Sequence, residues 1–213
     1  MPISLANWAA PVTLQQMTTF LQTEPAIQKL NFEFAGIRIW PEAYSKHLVN
    51  ALSRGDIQCV GTNFIEDGAS GSYSPELDIF KMRYSFNLKK VGDQALTIHE
   101  LTHAFLDLTA QTGVTRKTSE AISYLAQATF LEINGYDPLG NVKDILNVAL
   151  PIAQFTVIPG NYSVRAADVA ALEAAVAANP LYAGRASEIF LANGFTRGRL
   201  ASLQRLVAGS PAR

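Results

Sequence analysis

The sequence predicts an α+β fold. A small mixed sheet occupies residues 1–92 and a mostly helical half occupies 93–213, the two forming a single domain. Three observations carry this expectation. Phe80, Met82, Tyr84 and Phe86 alternate with Lys81, Arg83 and Ser85, which is the period-two pattern of a half-buried strand. From about Asp93 onward the hydrophobic period changes to about 3.6, and strand signals become sparse. Finally, 213 residues with 48% hydrophobic and 16% charged content suit one core of ordinary globular size.

Taken in order, residues 13–21 read as a short helix, and 32–40 and 57–65 as β-prone runs. Between them lies Pro41 and an amphipathic segment, 42–52. The stretch EDGASGSYSPE is rich in Gly, Ser and Pro and marks a turn before the alternating strand 79–86, which is expected at a sheet edge. Helices follow at 93–108 and 118–133, the second ended by Asn134-Gly135 with Pro138 just beyond. Further helices are expected at 142–155, 166–178, 184–192 and 199–207. The Ala-rich 166–178 segment is a scaffold helix by its spacing, and no internal repeat is present.

Composition narrows the function. A formal net charge of −1 gives no global pull toward nucleic acid or an anionic membrane. The start, MPISLANWAAPVTL, lacks a basic n-region and an unbroken apolar stretch, and nothing later reaches the roughly 18 apolar residues of a membrane span. A soluble, cytoplasmic protein is therefore expected, with export by another route left open. The single Cys59 can neither pair internally nor build a thiolate site, so any metal must be held by nitrogen and oxygen ligands. In its β-prone run it reads as buried and inert.

The chemistry sits in His99-Glu100-Leu101-Thr102-His103. Two histidines four apart on a helix project from one face, so both imidazoles can reach a single metal ion. At 100° per residue, Ile98, Leu101, Ala104, Phe105 and Leu108 fall on the opposite side, leaving the histidine face for a cleft. Glu100 stands at the edge of that face, where a carboxylate can act as general base toward water. Two of the chain's three histidines lie in this motif, and chance would place it in only about one shuffled chain in a thousand. A third ligand is needed to close a site that keeps one open position. Leu106 and Thr109 stand where a metzincin would carry Gly and His, which excludes that branch. Asp107 lies one further turn along, about 5–6 Å beyond His103, a poor ligand position that suits a surface, capping or supporting carboxylate. Glu120 opens the next helix, where a helix–turn–helix hairpin would fold it back onto the histidine face.

The segments ALTIHELTHAFLDL and KTSEAISYLAQ together resemble the zincin superfamily and, within it, the gluzincins; the resemblance covers roughly residues 71–133. It implies a zincin-like fold, Zn²⁺ held by His99, His103 and Glu120, and a zinc-bound water activated by Glu100. It further implies a strand lining the cleft, here GSYSPELDIF and KMRYSF, along which an extended peptide pairs. The spacing to Glu120 is a little shorter than in the best-known gluzincins. Tyr124 stands where an Asp often follows the ligand Glu, so support for a histidine must come from elsewhere. Gluzincins commonly stabilise the oxyanion with a Tyr or His, and Tyr124, Tyr136, Tyr162 and Tyr182 are the candidates.

A zinc metallopeptidase acting on a peptide or protein substrate is the leading expectation. A non-catalytic zincin-fold module that binds a metal or partner, and a toxin or effector protease with one specific target, fit the same residues. His47 reads as an ordinary helix residue, and Arg197, Arg199 and Arg205 as a mildly basic solvated surface.

Overall fold

The computed structural model describes residues 10–63, 65, 69–136 and 145–195. It is a mixed α+β structure in which helices dominate. Helix α1, Leu14–Thr23, starts at Thr13, whose hydroxyl accepts the Gln16 N–H while the Gln16 side chain accepts the Thr13 N–H. This reciprocal cap satisfies two donors that the first turn would otherwise leave open. The β-prone run 32–40 is a hairpin, β1 (Phe32–Phe34) and β2 (Ile37–Ile39), rather than one strand. Ala35 and Gly36 turn it with φ of 51° and 80°, the paired positive φ that a two-residue hairpin loop requires.

The amphipathic segment after Pro41 is helical, but its first part, Ala43–Leu48, is wound wide in the π manner before α2, Val49–Arg54. Gly55, at φ 75°, ends it. The wide turn seats Tyr44 in the core, where its hydroxyl meets Thr102 Oγ1 at 2.7 Å from behind the motif helix. Three strands form the second sheet: β3 (Gln58–Thr62), β4 (Gly71–Ser74) and β5 (Ile79–Arg83), in the order β3-β5-β4. β5 runs parallel to β3 and antiparallel to β4.

This order corrects the expected edge position of strand 79–86. β5 is the central strand, because Ile79, Phe80 and Met82 are all buried and both its neighbours pair with it. Tyr84 lies beyond its end and is half exposed. The edge beside the motif helix belongs instead to β4.

The helical half begins with α3 (Val91–Leu108) and α4 (Arg116–Ile133), which pack as a hairpin around a turn eased by Gly113 at φ 77°. α4 is capped by the Thr115 hydroxyl. Helices α5 (Ile145–Thr156) and α6 (Ala166–Ala178) pack on α4, with Leu172 and Val176 of the Ala-rich α6 turned inward. One apolar cluster runs through both halves, from Met17 and Phe32 to Leu125 and Leu172. The expected helix 184–192 does not form. Residues 181–187 are turns, and Ile189 instead makes an antiparallel bridge with Thr115. Its backbone is drawn into pairing with the start of α4, through Arg116 N–H to Glu188 O and Phe190 N–H to Val114 O. The expected helix 199–207 and its arginines, like Pro138, lie outside the described residues. Among those described, no helix is long and apolar enough to cross a membrane.

Candidate metal centre

α3 presents His99 and His103 one turn apart, with ring centroids 5.1 Å from each other, and α4 brings Glu120 against both. Glu120 Oε2 lies 3.4 Å from His99 Nε2 and 3.5 Å from His103 Nε2. Three donors at zinc–ligand distances of 2.0–2.1 Å in a tetrahedron stand about 3.4 Å apart. The pairs to Glu120 therefore have the separation of ligands around one small ion. The same oxygen is buried with the two imidazole Nε2 atoms as its nearest polar neighbours, a position from which all three groups could share one metal ion. Two imidazoles and a carboxylate are a donor set suited to zinc.

The other edge of each ring is held. His103 Nδ1 meets Ser119 Oγ at 2.8 Å, and His99 Nδ1 meets Gln127 Oε1 at 3.1 Å. The carbonyl of Gln127 can only accept, which fixes Nδ1–H on His99 and leaves its Nε2 lone pair for a metal. Both supporters sit on α4 beside Glu120, at one residue before it and seven after it. That spacing is legible along a helix face, although the expectation looked only at position 124. Burial would raise the Glu120 carboxyl, but the two imidazoles set against it, His103 foremost, outweigh it, so Glu120 is held as a carboxylate well below the usual range.

The histidine face is not open to a broad cleft as the helical wheel implies. His99 and His103 are 5% and 7% exposed, because α4 covers one flank and the 186–194 strap covers the other. The Phe190 ring stacks on His103 at 5.8 Å and 28°, and Tyr124 meets His99 edge-on at 4.6 Å. What remains is a cleft of about 220 Å³ reaching His103 and Glu120, walled by Tyr73 to Glu76, Arg116, Arg185, Phe190 and Leu191.

Glu100 points to β4, where its Oε2 accepts the Tyr73 N–H at 2.7 Å. Burial pushes its carboxyl up to about 7; the His99 charge and the Tyr73 N–H oppose the rise, and Glu120 adds to it. Asp107 is not on the surface. It is fully buried, with its carboxylate accepting the Tyr73 hydroxyl at 2.7 Å and the N–H groups of Asn193 and Gly194 at 2.6 and 3.1 Å. Its role is to tie α3 to β4 and to the strap, outside the His99, His103 and Glu120 group.

Of the four tyrosines, Tyr136 and Tyr162 are 48% and 42% exposed, and Tyr162 lies against the β1–β2 hairpin through its carbonyl bond to Glu33 N–H. Tyr124 and Tyr182 are at the centre, their hydroxyls 3.4 Å apart. The Tyr182 phenol is driven far upward by burial first and then by the Glu120 charge, so it stays protonated as a donor. His47 is exposed beside Trp40, away from the centre, and Cys59 is half-buried on β3 with its thiol pushed up to about 12 by burial. Tyr73, Phe190 and Arg185 carried no sequence signal, because a strap and a β-edge bring them in from distant parts of the chain, whereas Arg116 was legible from its place one turn before Glu120 on α4. Comparison with family models, with curated proteins and with solved structures finds no match.

Proposed function

We propose that the chain is a zinc-dependent hydrolase of the zincin type, cleaving peptide bonds, with Zn²⁺ on His99, His103 and Glu120. The observation that carries this reading is the placing of Glu120 Oε2 at 3.4 and 3.5 Å from the two Nε2 atoms. Zinc in that position supplies Lewis acidity, acidifying water and polarising a carbonyl. The chain's own groups supply the rest. Glu100, next in sequence to His99 and poised at the edge of the group, takes the proton from the attacking water and returns it to the leaving amine. Tyr182, a protonated phenol beside Glu120, donates to the oxyanion as charge develops there. Ser119 and Gln127 hold both rings in register, and Phe190 and Tyr124 keep water away from their faces.

A peptide substrate is supported by β4. In its antiparallel pairing with β5, Arg83 N–H bonds Ser70 O, so by alternation Gly71 and Tyr73 direct their peptide groups away from the sheet. On this edge, which lies beside α3, Glu100 already takes the Tyr73 N–H, so the outward carbonyls of Gly71 and Tyr73 are what would pair with an extended chain. The near-complete burial of both histidines favours one second reading, a non-catalytic zinc module, since structural zinc sites are closed. The two separate in one experiment. Metal analysis of the purified protein is expected to give one zinc per chain, and Glu100→Gln is expected to keep that zinc while losing peptide hydrolysis. A zinc-loaded wild type that cleaves no peptide in a broad library would favour the non-catalytic module; absence of zinc would end both.

A further inference from the structure

The cleft that reaches His103 and Glu120 also carries two guanidinium groups that the hydrolytic reading does not use. Arg116 is one turn before Glu120 on α4, so the two share a helix face. Arg185 comes from the turns that lead into the strap, and both arginines line the same 220 Å³ cleft. They are linked by Glu188, whose Oε2 lies 3.4 Å from Arg116 Nε and 3.0 Å from Arg185 Nε. Arg116 Nε is buried and makes no hydrogen bond at that distance. Each ion pair uses the Nε edge. Among the described residues the terminal amino groups of both guanidiniums make no hydrogen bond.

The first amides of α4 are occupied, Arg116 N–H by Glu188 O and Lys117 N–H by Ala186 O, so an anion here would be held by side chains rather than by the helix end. The acids on the wall are Glu120, set against the two histidines, and Glu76, which is exposed and accepts from Ser74 Oγ. Glu188 is shared between the two arginines, so the group of Arg116, Arg185 and Glu188 carries one net positive charge. A guanidinium fork with free amino groups matches the two oxygens of a carboxylate.

We infer that Arg116 and Arg185 form a carboxylate subsite, so that the preferred substrates are peptides carrying a carboxylate close to the scissile bond. This rests on the hydrolase reading for the word substrate, not for the subsite itself. Glu188 holds the two arginines in place and competes with the incoming carboxylate. The carboxylate can be a free C-terminus or an acidic side chain, and the two sources call for different peptides.

The test uses the full zinc-loaded chain and an N-acetylated octapeptide library made in free-acid and C-terminal amide forms. Cleavage by wild type is read by mass spectrometry, and retention is read on immobilised Glu100→Gln protein. An enrichment of about 10-fold or more for peptides bearing a carboxylate is expected, as for a partly desolvated ion pair, and it should shrink with added salt. Enrichment confined to the acid form identifies the C-terminus; enrichment of Asp or Glu within amides identifies a side chain. Arg116→Gln and Arg185→Gln should each reduce the enrichment, whereas Glu188→Gln should increase it, a sign that loss of folding cannot produce. Thermal melts of all three variants accompany the measurement. Retention or cleavage without carboxylate preference, or a preference indifferent to both arginines, overturns the subsite alone. Carboxylate-selective retention with no cleavage leaves the subsite standing and sinks the hydrolase reading. Neither retention nor cleavage in either library sinks both.

Discussion

Asp107→Ala tests how the strap is held over the histidines. Besides a bond with the Asp78 side chain, the carboxylate accepts from Tyr73 Oη, Asn193 N and Gly194 N at 2.6 to 3.1 Å. Each bond to a charged acceptor contributes about 1.5 kcal/mol net, giving roughly 4–5 kcal/mol for the set. Part of this is offset, because burial raises the Asp107 carboxyl above its ordinary range and its removal relieves that cost. Water can also reach the partly buried amides after truncation. A net loss of about 2–4 kcal/mol is expected, which for a chain of this length lowers the melting temperature by roughly 5–15 °C. Calorimetry of the metal-free protein measures it. Asp107→Asn should lose about half as much, since one oxygen still accepts from the strap amides while the new NH₂ donates to Tyr73 Oη. Zinc binding discriminates the alternative role: Asp107→Ala should still take up one equivalent. A melting shift under about 2 °C would refute the tether, and loss of zinc as complete as in Glu120→Ala would make Asp107 a ligand.

Glu120→Ala should lower zinc affinity by about 10²-fold or more, read by competition with a chromophoric chelator; an unchanged affinity would remove Glu120 from the site. Zinc at a thousand times its dissociation constant should stabilise the wild type by about 4 kcal/mol, raising the melting temperature by roughly 8–16 °C, and the Glu120→Ala melt should not respond. Glu100→Gln should cost a factor of roughly 10² to 10⁴ in kcat at constant zinc content, and turnover at the wild-type rate would assign any activity to another site. Tyr182→Phe should reduce kcat by about 10²-fold with KM little changed, while Tyr136→Phe, on an exposed residue, serves as the control.

The parts of the structure legible in the sequence are those decided within one helix or one hairpin. The 3.6 period located α3, α4 and α6 because each buries an apolar stripe, and Leu172 and Val176 show the stripe even in an Ala-rich run. His99 and His103 share a face by helical geometry alone, and Glu120 reaches them through a short turn whose Gly113 is visible in the sequence. Strand order was not legible. The alternation in 79–86 identifies a strand, yet an edge and a centre differ by what pairs on its second side, which for β5 is the separate strand β3. The 184–192 segment misled for a related reason. Its periodicity permits a helix, but hydrogen bonds from Arg116, Lys117 and Phe190 draw it into extended pairing with the head of α4.

The strap converts an open histidine face into a small cleft. Helix α3 alone would present two imidazoles to water, and any short peptide could approach them. With residues 186–194 tied down by Asp107 and by the Thr115 bridge, Phe190 closes over His103, and Arg116 and Arg185 converge on Glu188 beside it. The histidines and Glu120 can hold an ion through side chains on two adjacent helices. The shape of the cleft wall, in contrast, depends on contacts up to 118 residues apart, such as Asn193 Nδ2 to Pro75 O. Loosening the strap should therefore affect discrimination before it affects metal uptake: Asn193→Ala, which removes that bond and leaves the backbone bonds to Asp107 in place, should retain one equivalent of zinc while weakening the preference for carboxylate-bearing peptides. Measured together on the same preparation, a loss of zinc without a change in preference would show that the strap serves the metal and not the cleft.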